Sequence, residues 1–161
     1  MLSQLSPSLR TGRHAFTSAQ RPVNPRPLVR TQAYVDASTS YAVLQQGIAY
    51  AVVLGAEAAY TRSQLPEGTP GRPAVLPIAG GVAATGLACG LVSLHNEQLA
   101  TPAFLLGLLA SLAMFLYAAK RTTETKQDDS DWPGPKVWPA GMTLVSFFAL
   151  NVFIQALRAE L

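Results

Sequence analysis

The sequence predicts an all-α fold: an integral membrane bundle of four hydrophobic helices, three or four of them spanning, packed through small residues. Three observations carry this reading. Hydrophobic residues make up 49% of the 161 residues and charged residues only 13%, roughly half the charged share of an ordinary soluble domain. Four apolar runs follow one another along the chain. A helix rising ~1.5 Å per residue needs about 20 residues to cross a ~30 Å hydrocarbon layer, and each run is that long or nearly so. Small residues also recur at fourfold spacing inside the runs, the pattern that lets helix backbones approach where lipid gives no hydrophobic force between them.

The chain opens with a segment of different character. Residues 1–34 are rich in Arg, Ser, Thr, Gln and Pro and contain no Asp or Glu, the composition of a cleavable organelle transit peptide. Pro22, Pro25 and Pro27 prevent a sustained helix in its second half. The Ser and Pro content favours a chloroplast membrane; the stretch Met1 to Phe16, which can form a basic amphipathic helix, supports the mitochondrial inner membrane as the alternative. Five of the twelve basic residues lie here (Arg10, Arg13, Arg21, Arg26, Arg30), so seven remain against all nine acids. The basic pI therefore belongs to the leader, and a nucleic-acid partner is excluded for the membrane domain, residues 35–161.

Within that domain the helices are expected at about 41–60, 74–95, 101–119 and 139–157. Pro66, Pro70 and Pro73 break the first connection, and Thr101-Pro102 and Pro139 are expected to open the third and fourth helices, where a missing N–H costs least. Asn96-Glu97-Gln98 reads as a tight turn, making an antiparallel hairpin of helices two and three. The amides Gln45, Gln46, Asn151 and Gln155 leave open that the first or last helix lies partly in the interface. Gly47 and Gly55 on the first helix, Gly86 and Gly90 on the second and Gly107 on the third are the expected helix-packing positions. Loops 61–73 and 120–138 hold Arg62, Arg72, Lys120, Arg121, Lys126 and Lys136, against Arg158 on the other face. That bias assigns the two long loops to the stromal or matrix side.

Catalytic chemistry finds little to work with. The membrane domain has one histidine and one cysteine, so no catalytic residues, no metal site and no cofactor are expected. Cys89 reads as a small packing residue. The group Asp128-Asp129-Ser130-Asp131 lacks the glycine and distal Glu of a calcium loop and reads as solvated. His95 reads as a solvated helix-terminal residue, with ligation of a pigment or haem metal as the alternative. Glu57, one turn from the end of its run, is expected to snorkel to the interface rather than to contact substrate. Asn151 and Gln155 read as interhelical hydrogen-bond glue.

Short motifs then fall in a recognisable order. Gly134-Pro135-Lys136-Val137-Trp138-Pro139-Ala140-Gly141-Met142 resembles the GK-x-(M/Y)-PAG signature that opens the last helix of the transmembrane protein 14 family, which includes the plastid fatty acid export proteins. Ala59-Tyr60-Thr61-Arg62-Ser63 is similar to that family's GY-x-K-x-GS turn. The glycine-rich second helix (Gly80-Gly81, Gly86, Gly90) and the basic pair Lys120-Arg121 fit the same order, so the likeness spans about residues 41–157. The departures are Ala59 for glycine, Arg62 for lysine, a missing glycine before Ser63, and longer first and third connections.

The resemblance implies a four-helix membrane fold that moves free fatty acids, related lipids or porphyrins across an organelle inner membrane without ATP hydrolysis. It makes lipid the partner and the chloroplast inner envelope the favoured location. Lys136, Arg121 and Arg62, at the loop ends, would then attract the carboxylate head group, with ordinary interfacial anchoring as the alternative. The rival reading is a small non-catalytic subunit of a thylakoid or inner-membrane complex. Either a homo-oligomer or partner membrane subunits are compatible with the small-residue stripes.

Overall fold

Apolar runs without a polar face fold as helices because lipid leaves every backbone N–H and C=O to be satisfied within its own segment. The structure, a computed structural model, describes residues 37–126 and 134–160 as four helices: α1 (Ala37–Gln64), α2 (Val75–Ser93), α3 (Glu97–Glu124) and α4 (Val137–Glu160). All four are long and apolar enough to cross a membrane. The expected targeting segment, residues 1–34, and the acidic group at residues 128–131 lie outside the described residues.

The helices alternate in direction, and each packs on its sequence neighbours while α1 closes the ring on α4. The two long connections share one end, the loop end. The short α2–α3 turn shares the other with the start of α1 and the end of α4.

Three of the four helices outrun their expected limits, and the reasons are local. Asn96, not Thr101, caps α3: its side chain accepts from the Gln98 N–H at 3.0 Å. Its own carbonyl accepts from Leu99 at 2.9 Å and Ala100 at 3.1 Å. Pro102 therefore sits inside α3. The turn itself is Leu94 to Asn96, with His95 at φ 50°. Pro139 is the third residue of α4, still within the first turn, where helix N–H groups lack intrahelical acceptors.

Large apolar side chains line the outside of the bundle as well as its core, where Phe104 and Phe153 are fully buried. Large side chains such as Leu76, Leu109, Leu116 and Phe148 point outward and are exposed. Small and hydroxyl-bearing residues point in, with Thr85, Ser111 and Ser146 fully buried. On α2 the contrast is direct: Leu76 and Leu87 face out, whereas Gly81, Thr85, Ala88 and Cys89 face in. Such an outer surface suits hydrocarbon and not water.

The glycines divide into two groups. A Cβ on Gly47 would overlap the Sγ of Cys89, one on Gly107 the ring of Phe153, and one on Gly81 the side chain of Met114. These positions bring helices together. Gly55, Gly86 and Gly90, expected to pack as well, would meet nothing within 4 Å. Their fourfold spacing permits a close approach, but the fold turns them away from its own helices.

Gly107→Leu is therefore expected to force Phe153 from its seat and lower stability by about 1–3 kcal/mol. Gly86→Ala should leave the thermal unfolding midpoint in detergent unchanged or slightly raised. A Gly107→Leu variant with the parental midpoint would contradict the assigned contact.

Candidate functional site

Polar groups buried in an apolar bundle must find one another. At the loop end they do. Glu57 on α1 and Arg121 on α3 have side chains only 5% and 3% exposed and form a two-pronged ion pair. The Arg121 Nη2 donates to Oε1 at 3.0 Å and Nη1 to Oε2 at 3.2 Å. Thr61, one turn further along α1, donates its hydroxyl to Glu57 Oε1 at 2.9 Å. The remaining Arg121 nitrogen, Nε, donates to the Gly71 carbonyl at 3.0 Å. The Tyr117 ring lies beside the guanidinium, its centroid 5.9 Å from Cζ.

This pair ties down the first connection. Gly71 has φ +85°, and a Cβ there would run into Thr125, the residue that caps α3 by donating its hydroxyl to the Arg121 carbonyl at 2.7 Å. Arg62 Nη1 donates to the Pro73 carbonyl at 3.0 Å. The Ala74 N–H donates to the Tyr117 hydroxyl at 2.7 Å. Three successive points of the loop, Gly71, Pro73 and Ala74, are thus held by side chains from α1 and α3.

A second feature runs along the α1–α4 seam. Near the loop end a groove of about 490 Å³ is lined by Val53, Ala56 and Tyr60 from α1 and by Trp138, Gly141 and Val145 from α4, with Glu57 at its inner wall. Tyr60 and Trp138 face each other across it, ring centroids 5.0 Å apart. At the opposite end the same seam opens into a groove of about 710 Å³ that carries Thr39 and the amides Gln46, Asn151 and Gln155. Between the two, the Tyr50 hydroxyl and Ser146 Oγ meet at 3.0 Å, both residues buried. One half of the seam is apolar and the other amide-lined, and each volume suits a small amphipathic molecule.

The sequence-expected site residues part company here. Lys136 is exposed and immediately precedes Val137 and Trp138, which line the loop-end groove. Arg121 as a head-group contact is corrected: its guanidinium is engaged by Glu57 and Gly71 and has almost no exposed surface. Arg62 is partly buried and anchors the loop. Glu57 does not snorkel; it turns inward with Tyr50, Leu54 and Ala58. Asn151 is not interhelical glue either, since its Nδ2 donates to the Phe147 carbonyl of its own helix at 2.9 Å. His95 is exposed, with Nδ1 2.7 Å from the Ser93 carbonyl.

The fold and its seam define a small α-helical membrane protein with lateral grooves. No family model matches the chain, and no curated protein or solved structure does so either.

Sequence reasoning missed the Glu57–Arg121 pair and the Tyr50–Ser146 bond. The available signal was phase: Glu57 follows Tyr50 by seven residues and precedes Thr61 by four, one stripe of α1 that holds all three polar groups.

Breaking a buried pair leaves an unmatched charge. Glu57→Gln and Arg121→Met should each destabilise the bundle by about 3–5 kcal/mol, whereas Glu57→Leu combined with Arg121→Met should recover most of the loss. Unfolding midpoints in one detergent decide it. Equal loss in the double and single variants would show that the pair is not the coupled unit described.

Proposed function

We propose that this protein moves free fatty acids or related lipids across an organelle membrane, the chloroplast inner envelope being the favoured one, and that it does so without catalysis. The observation that carries the reading is the α1–α4 seam, which opens sideways to lipid along two grooves of contrasting polarity. An acyl chain needs an apolar track, and its head group needs a few polar contacts on the way across. The motif order from Tyr60 to Met142 supports the same reading through its likeness to the fatty acid export proteins.

Lys136 stands at the mouth of the apolar groove as an exposed cation able to draw an ionised carboxylate to the surface. Trp138 and Tyr60 beside it are suited to the membrane–water boundary. In this scheme Arg121 and Arg62 act indirectly, by holding the first connection against the bundle. The two long loops would face the stroma.

One observation favours a second reading. Gly86 and Gly90 lie on an outward face of α2 where an added Cβ meets open space, which would suit the close approach of a partner helix in a membrane complex. Import into isolated chloroplasts, followed by fractionation and native electrophoresis, separates the two. Recovery in the envelope at the size of a monomer or homo-oligomer supports export; recovery in a large thylakoid assembly supports the subunit.

For the transport reading, vesicles containing the purified chain should move an externally added long-chain fatty acid to an entrapped fatty-acid-binding probe faster than protein-free vesicles. Gly141→Trp, which fills the loop-end groove, should return the rate close to the protein-free level. Lys136→Glu should slow movement while leaving the amount of protein in the vesicles unchanged. Full activity in both variants would remove the seam and its mouth from the mechanism.

A further inference from the structure

An amide at hydrocarbon depth must hydrogen-bond to something, because an unmet donor or acceptor costs far more there than at an aqueous surface. Gln46 on α1 and Gln155 on α4 face the same groove, are exposed, and bond to no described residue. Their depth follows from packing. Gly47 abuts Cys89, which lies four residues before the end of α2 at Ser93, so Gln46, one residue nearer the start of α1, sits about 4–5 Å inside the end of α2. Asn151, deeper along α4, donates Nδ2 to its own helix and keeps Oδ1 as an acceptor.

The described wall of the groove is uncharged. Among the described residues no Asp, Glu, Lys, Arg or His lines it; Arg158 and Glu160, near the end of α4, are not part of its wall, and neither α2 nor α3 contributes to it. A carboxylate entering here would lose its water and gain no counter-charge from the described wall. An un-ionised carboxyl group fits instead. It presents one donor and one acceptor side by side, and a primary carboxamide presents the complementary pair.

We infer that the amide-lined end of the α1–α4 seam binds the un-ionised carboxyl group of a long-chain acid, held by Gln46 and Gln155. Ala42 and Val152 in the same wall receive the first methylenes. The inference rests on the fatty-acid reading above and adds to it a division of labour. Lys136 meets the ionised form at the loop-side surface, and the amides hold the protonated form inside. The carboxylate takes its proton from water before entering and returns it to water on leaving, so one proton accompanies each acid.

The test uses a long-chain fatty acid labelled with ¹³C at its carboxyl carbon, whose chemical shift reports ionisation, added to vesicles holding the full chain. A protein-dependent pool should keep the un-ionised shift at a pH where the lipid-dissolved pool is ionised. Gln46→Leu with Gln155→Leu should weaken that pool about tenfold, the loss expected for two hydrogen bonds. Gln45→Leu, outside the groove wall, should leave it intact. Gln155→Lys should convert the bound pool to the ionised shift, which guards against a double variant that merely misfolds.

A bound pool that is ionised in the parent protein, or that survives in a folded double variant, would overturn the inference. So would displacement of the pool by a long-chain alkyl sulfonate, which is always anionic. Efficient disulfide formation between copies through Gln155→Cys would overturn it by showing that a second chain fills the groove. Failure of the parent chain to move fatty acid at all would instead strike the fatty-acid reading, so the two failures are distinct.

Discussion

The ion pair between Glu57 and Arg121 joins two helices that are diagonal neighbours in the ring. Lipid supplies no hydrophobic pressure to hold helices together, so contacts of this kind and close backbone packing must do it. A carboxylate and a guanidinium each resist entering hydrocarbon, and together they are tolerable only when their hydrogen bonds are nearly complete. Here Thr61 and Gly71 complete them. The pair fixes the rotation of α1 about its own axis, because Glu57 must face the interior. That rotation in turn buries Tyr50 and Leu54 and leaves Gln46, Val53, Ala56 and Tyr60 along the seam with α4.

The seam inherits its two characters from this rotation. Toward the loop end the residues beside Glu57 are apolar or aromatic, and Gly141 on the facing helix leaves room. Toward the other end the same stripe reaches Gln46, and α4 answers with Asn151 and Gln155. The Tyr50–Ser146 bond closes the seam at its midpoint without adding charge. A molecule travelling along it would pass from an aromatic mouth, across a neutral hydroxyl pair, into an amide-lined chamber.

Much of the fold was legible in the sequence, and for a definite reason. Spanning helices are set by length and hydropathy, both one-dimensional quantities, so four runs became four helices. Helix ends were less legible: a cap depends on one side chain reaching one N–H, and Asn96 competed with the more conspicuous Thr101-Pro102. The site was harder still. Arg121 next to Lys120 reads as a loop-end basic pair, yet adjacent helical residues point about 100° apart, and only Lys120 faces outward, where it pairs with Glu124 at 3.6 Å. Fourfold glycine spacing likewise states that two backbones can meet. Gly47 and Gly107 meet partners within the bundle, and Gly86 and Gly90 do not, a difference set by which side of each helix the ring encloses.

Topology explains why the grooves lie between α1 and α4. Two of the other three seams are closed by a described connection: the pinned first loop and the Leu94–Asn96 turn. Gly107 and Phe153 further lock α3 against α4, and Gly47 against Cys89 locks α1 to α2. The first and last helices have no chain between them. Their spacing is set by side chains alone: the Tyr50–Ser146 bond, the Tyr60–Trp138 ring contact and the buried clusters that join Val43 to Phe153 and Leu54 to Met142. This is the least extensive of the four packed seams and parting it strains no loop, so a sideways opening costs less here than at the others. A bundle closed tightly on three sides and loosely on the fourth is what the proposed lateral lipid path would call for.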